Sequence, residues 1–489
     1  MSIKLIILDN KKCQFVGQDL VLFGKLHSFL SYKMAGIEYS PAYQAGWSGI
    51  SYLMNKKGIF PLGLLTKVKN FLLEKEVEFI EEDRRTPVKI NPPIDLSEKL
   101  AKLNLIPREH QNDILQVAIS NRKGIIRAAT GAGKTLCAAL IAAHYNKPTI
   151  IYVIGLDLLK QFHDLFSSLF DEPIGYIGDG ICNIERINIA TIWTVGNALK
   201  IDKKSILADD DFDDKEKFNE NKSEKIINLL KTASVHIFDE SHVVATKTID
   251  IIHKNINPEY IYGFSGTPFR DDNTDLLING VLGEQIINVS ASTLINKGIL
   301  AQPIIQFTTI PKMRLSKHTY PTAYKEYITE NDYRNNVIIE KVKFLVQKKY
   351  IPLVLFRQIK HGDLLLKKME ENNIKCAMLY GDDSIDQRTI VKNMLINKEI
   401  DVILASTIFD LGIDLPILSA LVLAGGGKSS IRALQRIGRV IRGYKGKKFS
   451  AVIDFFDQCS FLKQHSISRY EIYSSEDGFK VHPSKEMRV

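Results

Sequence analysis

Lys134 and Thr135 follow Gly131 and Gly133, just after the apolar run GIIRAA and just before a run rich in alanine and leucine. Small residues let a turn expose its backbone N–H groups, and a helix starting behind that turn adds its positive end. Residues Thr130, Gly131, Ala132 and Gly133 therefore read as an anion cradle. Lys134 would reach the β- and γ-phosphates of ATP, and the Thr135 hydroxyl would ligate Mg2+. Ala128 stands where the general pattern has its first glycine, but the flexible residues 130–133 are intact. A second reactive pair, Asp239 and Glu240, lies in SVHIFDESH at the end of another apolar run. Open parallel sheets bind ligands at the carboxyl ends of their strands. There Asp239 suits holding Mg2+ through water, and Glu240 suits orienting and deprotonating the attacking water. His242 is a candidate sensor of the γ-phosphate. The third group is basic: IRALQRIGRVIRG carries Gln435, Arg436, Arg439 and Arg442. Arg439 and Arg442 are three apart, so a helix would put both on one face, where planar guanidinium groups can pair bidentately with phosphate oxygens. Taken alone, a basic helix is more often a solvated face or a nucleic-acid contact.

These residues need elements that hold them at sheet ends, and the pattern supplies them. GIIRAA, PTIIYVIG, INIATIW, SVHIFD, IYGFSG, IPLVLF, DVILAS, ALVLAG and SAVIDFF are short apolar runs with β-branched residues and polar or glycine borders. They read as buried strands alternating with helices, which implies βαβ units and parallel sheets. Nine such strands exceed one sheet of ordinary size, so two α/β domains are expected, over residues 94–298 and 299–465, with a tail at 466–489. Residues 202–225 hold nine acids and six lysines and read as an exposed insertion or loop.

Residues 1–93 differ. Tyr43, Trp47, Tyr52, Phe60 and Phe71 sit among several glycines, which suggests a small α+β module with a hairpin at Asn55, Lys56, Lys57 and Gly58. Within residues 1–73 nine lysines face three acids, and the whole chain carries +9. That balance suits a polyanionic partner without proving one. Lys56 and Lys57 could reach duplex DNA or could line a solvated turn. The five cysteines form no CxxC pair, which argues against a disulfide framework or a zinc site. No apolar run is long enough to span a membrane.

Taken in order, the motifs resemble superfamily 2 helicases of the DExH class. The resemblance implies two RecA-like parallel-sheet lobes of the P-loop NTPase type behind the small amino-terminal domain. It implies that Arg108 and Gln111 read adenine, and that SGTP at 265–268 couples nucleotide state to lobe movement. In ASTIFDLGIDLP, Thr407 would touch a nucleic-acid phosphate, and Gly412 and Asp414 would lie toward the nucleotide. Gln435, Arg439 and Arg442 match QxxGRxxR, the family's arginine clamp. Lys160, Gln161 and Thr194 are candidate strand contacts, while Trp193 reads as core. The segment from Ala42 to Leu72, with Trp47-Ser48-Gly49 and Phe60-Pro61, and the carboxyl-terminal DFFDQCSFLKQHSISRYEIY are similar to phage branch-migration helicases of the UvsW type and to the XPB branch. This subgroup implies an ATP-dependent DNA helicase that remodels forks, Holliday junctions, D-loops or R-loops in recombination, repair and replication. Its expected partners are branched DNA and recombination or replication proteins, with no membrane. The chain is expected as a monomer in the cytoplasm, that of the host for a viral chain. An RNA-directed DExH helicase and a non-unwinding duplex translocase stay open as alternatives.

Overall fold

The computed structural model describes residues 3–33, 41–201, 220–241, 246–266, 275–380, 383, 385–406, 415–427, 430–444 and 446–487. The chain divides into two compact units, Met1–Ala128 with Gly133–Asn288, and Ala129–Ala132 with Val289–Val489. The α/β expectation with large parallel sheets holds. All nine strands read from the apolar runs are present.

The first unit is built on an eight-stranded sheet. Its spatial order is Ile181–Asn183, Ile174–Gly178, Ile187–Thr191, Thr149–Val153, Val235–Phe238, Tyr260–Ser265, Lys123–Ala128 and Gln285–Val289. The five central strands and Ile174–Gly178 pair in parallel. Thr149–Val153, Ile187–Thr191 and Val235–Phe238 are buried along their whole length. That is why they read as continuous apolar runs rather than as alternation: helices cover both faces of such a sheet. Helix Lys134–Tyr145 buries Ala138, Ala139, Ala142 and Ala143, and these small side chains allow close packing.

The second unit carries a seven-stranded sheet in the order Cys376–Leu379, Val402–Ser406, Pro352–Phe356, Ala420–Val422, Phe449–Asp457, Gln302–Ile310 and Lys480–His482. Every neighbouring pair in it is parallel. Helix Ser460–Ser474 runs through the boundary expected at 465, and strand Lys480–His482 pairs with Gln302–Ile310. The described part of the expected tail, residues 466–487, thus holds the end of that helix and a strand of the second unit's sheet rather than forming a separate tail.

The amino-terminal module is a four-stranded mixed sheet, in the order Ile59–Pro61, Lys12–Val16, Ile3–Ile7 and Phe79–Asp83, with helices Leu20–Phe29 and Leu65–Glu74. Leu5, Cys13, Leu26, Leu64, Val68 and Leu72 form its core. The expected hairpin at Asn55 is a tight turn only. Gly58 N–H donates to Asn55 O at 2.9 Å, but the strand before the turn pairs with Ser31–Lys33 and the strand after it with Lys12–Val16. The Asn55 carboxamide accepts from the N–H groups of Lys57 and Ile59, and Asn55 N–H donates to Ile59 O at 2.9 Å, so the bonds across the turn close the turn itself while the flanking strands pair elsewhere.

This module is fastened to the first large sheet layer. Lys11 Nζ donates to the carbonyls of His253, Lys254 and Ile256 at 3.5, 3.3 and 2.9 Å, at the end of helix Thr246–Asn255. A cation there satisfies carbonyls that the helix leaves open. Lys123 Nζ donates to Asn10 O at 3.3 Å. A side chain at Gly63 would collide with the carbonyls of Asn279 and Gly280, so glycine permits the close approach.

Candidate functional site

The phosphate loop begins where strand Lys123–Ala128 ends. Gly131 and Gly133 have φ of 90° and 83°, a backbone region that other residues enter only at a cost. Gly133 is the residue preceding helix Lys134–Tyr145, so the loop turns directly into a twelve-residue helix. Ala132 is buried, while Thr130, Gly131, Gly133, Lys134 and Thr135 are half-buried. Gln111 is buried on helix Glu109–Ser120, and its Oε1 accepts from the Arg108 N–H at 2.9 Å. Its amide nitrogen lies against Gly133, where a Cβ would overlap it. Gln111 and the loop are therefore neighbours, while Arg108 is exposed at the start of the same helix.

Strand Val235–Phe238 delivers the carboxylates. Lys134 Nζ forms an ion pair with Glu240 and stands 3.9 Å from Asp239 Oδ1. Glu240 has φ of 48°, a left-handed conformation for a residue with a side chain. Such local strain is held only where the surroundings fix it. Ser241 supplies that hold: its N–H and its hydroxyl both donate to Phe264 O, at 2.9 and 3.2 Å. Ser241 was not among the residues singled out from the sequence. Its place between the acidic pair and His242 was the only signal. Asp239 is 4% exposed, and burial raises its pKa against the opposing pull of Lys134. Asp239 Oδ1 has no hydrogen-bond partner among the described residues. A buried carboxylate oxygen left over beside the phosphate loop fits a metal-held water, so the donor set suits Mg2+.

In the second unit, Gln435, Arg436 and Arg439 lie on helix Ser430–Val440. Arg442 does not: the helix stops at Val440, and Arg442 makes a β-bridge with Leu300. The expectation that Arg439 and Arg442 share one helix face therefore fails, because Ile441 O is taken by Ala301 N–H at 2.8 Å and the chain leaves the helix before Arg442.

Of the strand-contact candidates, Lys160 and Gln161 are exposed on helix Leu156–Leu169, with Lys160 3.3 Å from Asp164. Thr194 corrects the expectation. The strand read as INIATIW ends at Thr191, which caps helix Ile192–Ala198. Thr194 is 3% exposed, with its hydroxyl 2.8 Å from that of Thr191, so it has no free surface for a phosphate. Trp193 is buried on the same helix. Lys56 and Lys57 are exposed at the turn. His242, Thr267, Pro268, Thr407, Gly412 and Asp414 lie outside the described residues, as do residues 202–219. No helix among the described residues is long and apolar enough to cross a membrane.

A glycine loop on a helix start, beside a lysine and two acids at the carboxyl end of a parallel sheet, defines a P-loop NTPase. Comparison with known proteins narrows the class. Residues 104–270 match the family described as Type III restriction enzyme, res subunit, and residues 336–444 match the Helicase conserved C-terminal domain. The chain is 26% identical to the ATP-dependent DNA helicase uvsW of Enterobacteria phage T4, over 93% of this chain and 94% of that one. It is 24% identical to the DNA 3'-5' translocase XPB2 of Sulfurisphaera tokodaii, over 77% and 85%. In fold it resembles S. cerevisiae Dbp5, solved with RNA and ADP BeF3, at a TM-score of 0.55 and 14% identity over 80% of this chain and 94% of that one. The chain belongs to the superfamily 2 DExH DNA helicases, in the UvsW-like group related to the XPB branch. Its activity in coarse terms is that of an ATP-dependent DNA helicase.

Proposed function

We propose that the helicase remodels branched DNA, such as forks, Holliday junctions, D-loops or R-loops, with ATP split between its two sheet units. The observation that carries the nucleotide half is the meeting of Lys134, Glu240 and Asp239 beside the Gly131–Gly133 turn. Backbone N–H groups of the turn and Lys134 would bind the phosphates, and the buried Gln111 amide would read the base. Once phosphate oxygens compete for Lys134, Glu240 is released to accept a proton from the attacking water. Thr135 and Asp239 would hold Mg2+, which supplies charge neutralisation on the phosphates. Arg439 and Arg442 would meet the same phosphates from the second unit, and a change in their reach with nucleotide state would drive stepping.

The branched-DNA half rests on the fastened amino-terminal module. Lys11, Lys123 and Gly63 fix it to the motor's first sheet layer, and it presents Lys56 and Lys57 at an exposed turn. A basic surface held at a set place relative to a motor can grip one DNA arm while the motor works on another. Recombination or replication proteins as partners, a monomer as the working form and the cytoplasm as the site of action complete the proposal.

The test sets forks, four-way junctions, R-loops and linear duplexes of DNA and RNA side by side. Faster ATP-dependent processing of the branched DNA than of the linear duplex supports the reading. Equal rates on all DNA substrates would sink it. Preference for RNA duplexes would favour the RNA-directed alternative, and displacement of bound protein without strand separation the translocase.

A further inference from the structure

Between strand Ala420–Val422 and helix Ser430–Val440 runs a loop containing Gly425, Gly426 and Gly427. Three successive glycines make a chain that is costly to hold in one conformation. Four successive carbonyls of this loop are nevertheless each taken by a buried side chain. Arg334 Nη1 donates to Ala424 O at 2.6 Å. The Tyr324 hydroxyl donates to Gly425 O at 2.8 Å. Arg436 Nη1 reaches Gly426 O at 3.4 Å, and Arg469 Nη1 donates to Gly427 O at 2.8 Å. All four side chains are at most 5% exposed. Gly425 also approaches the end of strand Pro352–Phe356, where an added Cβ would stand 2.9 Å from the Arg357 nitrogen.

The two arginines outside the basic helix are held from behind. Arg334 Nε donates to Asp457 at 2.9 Å, and Arg469 binds both oxygens of Asp454 at 2.8 Å. The Tyr473 hydroxyl adds a third donor to Asp454, at 3.1 Å. Asp454 and Asp457 both belong to strand Phe449–Asp457, so one rigid strand anchors both guanidinium groups. Burying such pairs contributes little net stability compared with apolar packing, but it can specify a single conformation. The forked geometry of each guanidinium lets one side chain bind a carboxylate and a carbonyl at once, which lysine cannot reproduce. Arg334 and Arg469 lie outside the two matched family segments.

We propose that Arg469, with Arg334, is a positioning residue for ATP hydrolysis. By fixing the glycine loop from its carbonyl side, it fixes the Gly426 carbonyl that Arg436 of helix Ser430–Val440 reaches, and so where Arg439 of that helix is presented. This rests on the reading of Arg439 as a phosphate contact. In this role Arg469 acts through the loop and not on the nucleotide itself.

The experiment measures DNA-stimulated ATP turnover in the full chain. Arg469→Lys keeps the charge and loses the fork. Arg469→Met with Asp454→Leu removes both charges, so no unpaired ion is left buried, and serves if the lysine variant does not fold. Small displacements of a reacting group cost up to about 10²-fold, so kcat is expected to fall roughly ten- to hundred-fold while KM for ATP changes less than about two-fold. In an Arg439→Ala background the same substitution is expected to add less than about two-fold, because the residue it positions is gone. An unchanged kcat in Arg469→Lys, beside a lowered kcat in Arg439→Ala, overturns the positioning role alone. A full additive loss in the Arg439→Ala background, or a KM that rises in step, overturns it too, since either shows a general effect on the fold. If Arg439→Ala itself leaves turnover intact, the phosphate reading of Arg439 has failed and the positioning role falls with it.

Discussion

Two glycine loops, each at the carboxyl end of a parallel sheet, are built to opposite purposes. Around Gly131 and Gly133 the charged side chains answer one another: Lys134 sits with Glu240 and near Asp239, and Asp239 keeps a buried oxygen with no hydrogen-bond partner among the described residues. Around Gly425, Gly426 and Gly427 the backbone itself is the ligand, and arginines and a tyrosine occupy its carbonyls. The first loop keeps exchangeable charge for a visitor. The second uses its charge to hold the chain still. Glycine content alone therefore says little about whether a loop binds anything; the partners of its polar atoms decide.

Removing the exchangeable charge should be the most damaging change. Lys134→Ala and Glu240→Gln are each expected to lower ATP turnover by about 10²–10⁴-fold, the range for losing a transition-state donor or a general base. Steady-state turnover at saturating DNA measures this, and near wild-type rates in either variant would erase the contrast between the loops. Next comes the loop backbone. Gly133→Ala puts a side chain at φ 83° and against the Gln111 amide, at a cost of roughly 1–2 kcal/mol. That should raise KM for ATP by about ten-fold. Adenine selectivity should weaken with it, which a comparison of ATP with GTP would reveal.

A third prediction separates the buried core behind the first loop from the loop itself. His236 is fully buried, with Nδ1 2.8 Å from the Tyr152 hydroxyl, and burial lowers its pKa to about 4. Burial likewise lowers His361 in the second unit to about 3. An unfolded histidine takes up its proton near pH 6.5, so between that pH and the lowered values the unfolded chain binds more protons than the folded one. Stability contributed by these neutral histidines is present above about pH 6.5 and is lost as pH falls toward 4 and then 3. Each contributes up to about 1.4 kcal/mol per pH unit in that window. His236→Asn should flatten the acid limb of a denaturant-midpoint profile; an unchanged slope would show that the histidine is protonated in the fold.

The legible parts of the molecule were local. Apolar β-branched runs announce strands because a buried parallel strand is apolar on both faces, and the turn from strand to helix at Gly133 announces itself by residue type. Strand Gln302–Ile310 escaped notice because it opens on Gln-Pro and alternates buried with half-exposed positions, as a strand near a sheet edge does. Thr191 hid a strand end, since the β-branched run continues into a helix that its own hydroxyl caps. The phosphate loop could be read from a dozen consecutive residues. The carbonyl clamp could not, because Arg334 and Asp457 are 123 positions apart and no short motif contains them. Arg442 was misplaced for a related reason: periodicity continues past Val440, but a bridge to Leu300 ends the helix there.

The smallest effect is expected at the amino-terminal turn, and it tests whether charge far from either loop matters to binding alone. Lys56 and Lys57 are exposed, while the backbone beneath them is fixed by Asn55 Oδ1 and by a bond from Gln14 Nε2 to Lys57 O at 3.0 Å. Substituting both side chains with alanine should therefore leave the turn intact. Deleting the whole module would not give so clean a result, since it would also strip Lys11 from the end of helix Thr246–Asn255. Taking one lysine away from the phosphate backbone of duplex DNA reduces the slope of log affinity against log salt by about 0.9. Lys56→Ala with Lys57→Ala should thus lower the slope for a four-way junction by up to about 1.8 and leave ATP turnover at saturating DNA unchanged. Titrations of the junction at several salt concentrations, with turnover assayed alongside, read both quantities. A slope equal to that of the unaltered chain would show that these lysines only solvate the turn, and a fall in saturated turnover would show that the module acts on the phosphate loop as well as on DNA.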